Sequence, residues 1–311
     1  MIEIESWVPK LVDAVVRTLQ QRVQKPRATY RVQFNPQNLT FREAAALVPY
    51  LDELGVSHLY ASPYRKARSG SPHGYAIVDY NSLNPELGTP EDYRAMVQGL
   101  REHKMGHILD IVPNHMSIEP GENRWWNDVL ENGPSSPFAS CFDVDWHPVK
   151  EELENKILLP MLGGPYGEVL EAGHLCVRYE RGAFRLQVYD KTLPLDPKTW
   201  TDLLAHRREA LRLSLPPESA ELRELESVVT ALEHLPDRSD TRPEQVAERQ
   251  REKEVIKDRL ARLSAASAEV TAFLERNLRE FNGTPGEPHS FDRLDRLLDA
   301  QVYRLSDWRT A

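Results

Sequence analysis

Cysteine is nearly absent from this chain, with two in 311 residues, Cys141 and Cys176. Two thiols cannot supply the disulfide framework of a small secreted scaffold, and free, buried thiols are the reading they support. No apolar run approaches the roughly 18 residues that a membrane helix needs. The first 24 residues carry Val8, Leu11, Val15, Val16 and Leu19 at helical spacing, which reads as a surface or docking helix rather than a targeting signal. Positive charge is in deficit: 39 Lys and Arg against 48 Asp and Glu leave a net charge of −9. That balance argues against nucleic acid as a partner. Neither Gly-x-Gly-x-x-Gly nor Gly-x-x-x-x-Gly-Lys occurs, so dinucleotide and P-loop nucleotide sites lose their main support. A cytoplasmic protein without membrane contact is the expectation.

What is present concentrates in residues 107–115, which read His-Ile-Leu-Asp-Ile-Val-Pro-Asn-His. A short apolar run stops at Pro113, which has no backbone donor. Asp110 lies within the run, and Asn114 and His115 follow it. The pattern predicts a buried strand over 107–112 that delivers polar side chains at its C-terminal end, where parallel α/β folds place their chemistry.

Upstream text repeats the theme. Residues 28–33 alternate and are rich in β-formers. Thr40 and Glu43 are spaced as a capping box. They open an amphipathic run with Phe41, Ala44, Ala45, Val48, Leu51 and Leu54 on one face, closed by Gly55. Residues 56–60 read as a second strand, followed by a long loop from Ala61 to about Glu86. Thr89 and Pro90 then start another helix, with Tyr93, Met96, Val97 and Leu100 as its buried stripe and Gly106 after it. Strand, helix, strand, helix, strand implies a parallel sheet with right-handed crossovers, either a doubly wound sheet or a (β/α)8 barrel.

These residues resemble the α-amylase superfamily of glycoside hydrolases and transglycosylases. Asp110-Ile-Val-Pro-Asn114-His115 is similar to the signature that ends the third barrel strand in that superfamily. Ser71-Pro72-His73-Gly74-Tyr75 resembles the loop after strand two, whose tyrosine stacks on the sugar in the −1 subsite. Within the superfamily the resemblance is closer to the maltooligosyl trehalose synthase family. Residues 29–33, 54–60, 84–88, 122–126, 128–134, 303–305 and 308–311 carry it.

The resemblance implies a (β/α)8 barrel of which about three strands are present. It also implies an intramolecular transglucosylase acting on maltooligosaccharides in trehalose biosynthesis. Such an enzyme turns the reducing-end α-1,4 bond into an α,α-1,1 bond by the two-carboxylate chemistry of a retaining glycosidase. His115 is implied as a donor to a sugar hydroxyl, Tyr75 as a stacking surface and His73 as a nearby donor. Asp110 would support its neighbours, and Arg31 and Gln33 would reach the barrel mouth. Of the adjacent Trp125 and Trp126, one would pack in the core and one would line a glucan subsite, with Trp126 the candidate. Asn114 matches a position that binds calcium in many amylases, but no Asp/Glu cage accompanies it, so neither metal nor cofactor is expected. Ala76 departs from the family, where Asp often follows the tyrosine.

No stretch resembles the family's strand-four nucleophile, strand-five acid or strand-seven aspartate. Asp292 and Asp295 lie in text that reads as a solvated helix face. The expectation is therefore an N-terminal fragment, inactive alone, with the C-terminal half of the same enzyme as its partner. An α-glucan-binding remnant and a fragment of another α-amylase-family hydrolase are the alternatives. The expected organisation is an N-terminal helix (1–26), three βα units (27–115), an inserted subdomain (116–200), a helical insertion (201–282) and a segment leading to the catalytic half (283–311). In the inserted subdomain, no sustained helical period is visible, and short strands flank a Gly182 turn. In the helical insertion, glycine vanishes and charges of both signs recur at helical spacing, which reads as solvated helices.

Overall fold

The computed structural model of the protein describes residues 4–22, 26–216 and 218–310. The chain divides into two compact units, residues 1–117 and 118–311.

The first unit contains helix α1 (Ile4–Arg22), strand β1 (Thr29–Val32), α2 (Phe41–Glu53), β2 (His58–Ala61), β3 (Arg65–Ala67), β4 (Ile77–Leu83), α3 (Pro90–Glu102) and β5 (Gly106–Leu109). β1, β2 and β5 make one parallel sheet in that order. A helix lies on each crossover, as parallel pairing requires. The helix ends follow local chemistry. The Thr40 N–H donates to the Glu43 carboxylate at 3.0 Å, and the Thr40 hydroxyl meets the same group. Gly55 takes φ +80°, its N–H bonds the Asp52 carbonyl, and the Val56 N–H bonds that of Leu51. This left-handed end satisfies the last carbonyls of α2. Phe41, Ala44, Val48 and Leu51 are the buried face of α2, and Met96 and Leu100 that of α3. Phe34, Phe41, Tyr64 and Tyr93 pack edge-to-face or tilted between them.

Two expectations need correction here. Residues 61–86 are not one loop, because β3 and β4 pair antiparallel within them. Ile77 and Val78 anchor that hairpin by burial. The strand expected over 107–112 stops at Leu109, so Asp110 heads the following loop. The reason is its neighbour: β2 ends at Ala61, which pairs with Leu109 and accepts from the Asp110 N–H at 2.9 Å, and the pairing stops there. On α1, Val8, Leu11, Val15, Val16 and Leu19 are all exposed.

The second unit contains α4 (Arg124–Asn132), β6 (Ile157–Leu162), α5 (Tyr166–Glu171), β7 (Leu175–Glu180), β8 (Ala183–Val188), β9 (Lys191–Pro194), α6 (Trp200–Ala205), α7 (Arg208–Ser214), α8 (Ala220–Glu233), α9 (Pro243–Ala266), α10 (Ala268–Phe281), α11 (Asp292–Asp299) and β10 (Tyr303–Asp307). β7, β8 and β9 form an antiparallel sheet, with Gly182 at the first turn, and β10 runs parallel to β6. Buried side chains from all these layers, Trp200 and Phe184 among them, form one core. α4 departs from the expectation for 116–200, since nine residues are too few for a period to stand out. Cys141 is exposed and Cys176 half-buried, both free. Cys176 faces outward on β7 between the buried Leu175 and Val177, which corrects the expectation of buried thiols.

The helices of 201–282 carry a further correction. Arg249 and Lys253 on α9 are 0% and 2% exposed, not solvated. Arg249 donates to Asn132 at 3.0 Å, to the Pro236 carbonyl at 2.6 Å and to Asp196 at 2.7 Å. Lys253 meets Asp128 at 2.8 Å and Glu131 at 2.7 Å. Charged groups are buried only when paired, and the carboxylate partners come from α4 and the segment after β9, far away in sequence.

Candidate functional site

The site is built from β1 outward. Side chains two apart share one face of a strand, and Arg31, Gln33 and Asn35 all reach the loop at 72–75. Gln33 donates to the His73 carbonyl at 3.0 Å and Asn35 to that of Pro72 at 2.7 Å. Arg31 donates to the Tyr75 hydroxyl at 2.9 Å and to Gln33 at 3.2 Å. Gly74 makes the loop possible. Its φ is +75°, and a Cβ there would lie 2.2 Å from the Pro63 carbonyl oxygen. The Tyr75 N–H donates to His73 Nδ1 at 3.0 Å. A neutral His73 therefore carries its proton on Nε2 and keeps that N–H as a donor.

Tyr75 in turn donates to the Asp110 carboxylate at 2.5 Å. Arg31 stands 4.0 Å from the same carboxylate. The bond to Asp110 raises the Tyr75 pKa above its ordinary value, burial adds to this, and the bond from Arg31 opposes it. The ring of Tyr75 is thus held by its hydroxyl while remaining half-exposed. A flat ring, a cation, a carboxylate and an imidazole N–H converge at the C-terminal ends of β1 and β5. This set suits a polyhydroxylated ligand: the ring offers an apolar face, and the polar groups match hydroxyls.

The loop after β5 is fixed from the β3–β4 hairpin. The Tyr80 hydroxyl lies 2.5 Å from the Val112 carbonyl and 2.7 Å from that of His115. The Ser117 N–H donates to the Ile77 carbonyl at 2.7 Å. Asn114 and His115 are exposed on this loop. The structure therefore joins Arg31, Gln33, His73, Tyr75 and Asp110 through hydrogen bonds and places Asn114 and His115 beyond Asp110 with their side chains outside that network. Trp126 is elsewhere. It belongs to the second unit, is 6% exposed, and its ring centroid is 4.9 Å from that of Phe142. α4 turns Trp126 inward with Val129 and Leu130, so it packs in the core instead of lining a subsite. Its neighbour Trp125 stacks on Phe138. Among the described residues, no three His, Cys, Asp or Glu side chains converge as metal ligands.

Sequence reasoning missed Asn35 and Tyr80. Asn35 had a visible signal, since it extends the alternation of Arg31 and Gln33. Tyr80 had none, because its partners are backbone carbonyls more than thirty residues away.

Residues 45–161 match the α-amylase catalytic domain. Over 169 residues, half of this chain, the sequence is 40% identical to a putative maltooligosyl trehalose synthase of Mycobacterium tuberculosis, of which the match covers 22%. A solved maltooligosyl trehalose synthase is 36% identical over 55% of this chain and 23% of its own, with a TM-score of 0.50. A solved DSM5389 glycosyltrehalose synthase covers 91% of this chain and 27% of its own, with a TM-score of 0.55 at 24% identity, a likeness of fold alone. The chain spans less than a quarter of the length of the curated relatives it matches. The match over residues 45–161 is to the α-amylase catalytic domain, and the parallel β1–β2–β5 sheet of the first unit, with a helix on each crossover, is consistent with part of a barrel. In sequence the chain resembles maltooligosyl trehalose synthases.

Proposed function

We propose that the first unit forms part of the sugar-binding side of an intramolecular transglucosylase that converts the reducing-end α-1,4 bond of a maltooligosaccharide into an α,α-1,1 bond. The observation that carries this reading is the Arg31–Tyr75–Asp110 group at the C-terminal end of three parallel strands, where barrel enzymes hold substrate. In this reading Tyr75 stacks on the reacting glucose. Arg31 and Asp110 fix the Tyr75 hydroxyl, Gln33 and Asn35 fix the loop, and His73 and His115 donate to sugar hydroxyls. The reaction requires two carboxyl groups flanking the bond, a nucleophile and an acid. The group here holds one carboxylate, and Tyr75 already donates to it. We therefore assign both catalytic carboxyls to residues outside these 311, in the remainder of the same enzyme. Transfer without hydrolysis further requires that water be kept from the glycosyl intermediate. The reading places the enzyme in the cytoplasm, with an α-1,4-glucan as substrate.

The test is product analysis with maltopentaose. The enzyme carrying this chain should remove reducing ends and yield a trehalose-capped product. Free glucose or shorter maltooligosaccharides as the main product would mean a hydrolase instead. Loss of reducing ends with the 311-residue chain alone would overturn the assignment of the carboxyls.

A further inference from the structure

From residue 7 to residue 19, every side chain of helix α1 (Ile4–Arg22) is exposed. Its residues are nevertheless sorted by chemistry. At about 100° per residue, Val8, Leu11, Val12, Val15, Val16 and Leu19 fall in one half of the helix circumference, and Lys10, Asp13 and Arg17 fall in the other. The six apolar residues are between 39% and 56% exposed, and Trp7 extends their band. Thr18, at the margin of the band, donates its hydroxyl to the Ala14 carbonyl at 2.8 Å, so it brings no unmet donor there. Such a helix lacks what normally holds one. Packing of the amphipathic face supplies most helical stability in proteins, and four valines with Pro9 inside the helix weaken what α1 has of its own.

The size and pattern of the band say what covers it. Its exposed surface is on the order of 600 Å², as much as the largest patch a monomer usually carries. Two copies together offer about 1,200 Å², the lower end of a specific interface. A seam between them would be uncharged on both sides, with Lys10, Asp13 and Arg17 of each copy left in water. Val8 and Val15 lie one heptad apart, with Leu11 three residues after Val8. β-Branched residues at the first heptad position and leucine at the fourth favour two-stranded pairing. A membrane surface selects a polar face rich in cations. Here Asp13 shares that face with only two, and Arg17 turns its Nε to the Asp13 carbonyl at 3.2 Å.

We propose that α1 is a dimerisation helix, its apolar band packed on the same band of a second copy of this chain about a two-fold axis. Sedimentation velocity of the 311-residue chain should give twice the monomer mass, with dissociation in the micromolar range. Leu11→Glu combined with Val15→Glu puts like charges into both bands and should raise Kd about a hundredfold or more. Both side chains are exposed, so the core of the first unit is untouched. Lys10→Ala, on the opposite side of the helix, should leave the dimer unchanged. A chain that stays monomeric at the highest concentration reached overturns the proposal. So does a dimer that survives the double substitution, which would have to form through another surface. A monomer that floats with phosphatidylglycerol vesicles, and ceases to once doubly substituted, would make the band a membrane contact and overturn it as well. The enzyme carrying this chain should dimerise likewise. A monomer there would mean that the rest of the enzyme covers α1, and the second copy would be ruled out as its occupant.

Discussion

The Tyr75 hydroxyl donates to Asp110 at 2.5 Å and accepts from Arg31 at 2.9 Å, although Asp110 and Arg31 lie 35 and 44 residues away in sequence. The two partners act on its ionisation with opposite signs. Asp110→Asn should move the Tyr75 pKa down toward the ordinary value, and Arg31→Gln should move it further up. Ultraviolet titration of the phenolate, with Tyr75→Phe as the blank, reads both. Because the folded pKa is raised, the bond stabilises the fold fully below the ordinary tyrosine value of about 10. That contribution fades as pH rises through the raised value. Shifts of the same sign in both variants would contradict the geometry.

Glu131 lies buried between Lys253 at 2.7 Å and Lys257 at 2.8 Å. Burial pushes its carboxyl up, but the two ammonium groups outweigh burial and hold it at about 2. A lowered folded pKa stabilises above the ordinary glutamate value of about 4.3, and the contribution is lost as pH falls toward 2. Lys253→Met should destabilise by about 3 kcal/mol near neutral pH, as expected when one member of a buried pair is removed. It should also flatten the loss of stability between those pH values. Urea unfolding at several pH values measures both, and an unchanged acid slope would count against the network.

Gly74→Ala and Gly55→Ala separate backbone strain from collision. Both positions have positive φ, +75° and +80°, but a Cβ at Gly55 meets nothing within 4 Å, whereas at Gly74 it meets the Pro63 carbonyl. Gly55→Ala should cost about 1 kcal/mol. Gly74→Ala should cost more, up to about 3 kcal/mol, and should shift the Tyr75 ring signals. Equal melting temperatures for the two variants would show that the 72–75 loop yields freely.

Under the proposed transglucosylase function, His115 and Tyr75 should fail differently in the enzyme carrying this chain. Hydrogen bonds to the reacting sugar strengthen as the oxocarbenium-like state forms, so His115→Ala should lower kcat more than it raises KM. Tyr75→Ala should raise the share of free glucose released, because the intermediate becomes wetter. If Tyr75→Ala leaves both the rate and the ratio of glucose to trehalose-capped product unchanged, the loop is structural and the sugar lies elsewhere.

The path from β1 to β5 was legible because its punctuation is local: Thr40 and Glu43 start α2, Gly55 stops it, and Thr89 with Pro90 starts α3. What depends on a neighbouring strand is not legible, so the sequence pattern extends β5 past Leu109 and shows a loop where the β3–β4 hairpin forms. The pairing of Tyr75 with Asp110 leaves no trace in spacing: the apolar run that ends at Pro113 points to Asp110, and only the family resemblance singles out Tyr75. Trp125 and Trp126 show the same limit. Adjacency says that they diverge, but only α4 decides which one turns inward. On α9 the charges misled, because a lysine that meets a buried glutamate looks, in sequence, like one that meets water.

That last feature has a use beyond holding α9 down. Leu260, Leu263 and Ile256 on the same helix are buried aliphatic side chains, and one such side chain can replace another at small cost. If α9 slid by one turn, about 5.4 Å, the oily seam could re-form almost unchanged. The slot of Arg249 would not re-form: there one side chain bonds Asn132, the Pro236 carbonyl and Asp196 at once, and a one-turn slide would put in its place either Lys253, which lacks the planar fork, or the uncharged Gln245. Arg249 therefore works as a key cut for one alignment, disfavouring misthreaded packings that greasy contacts alone would accept.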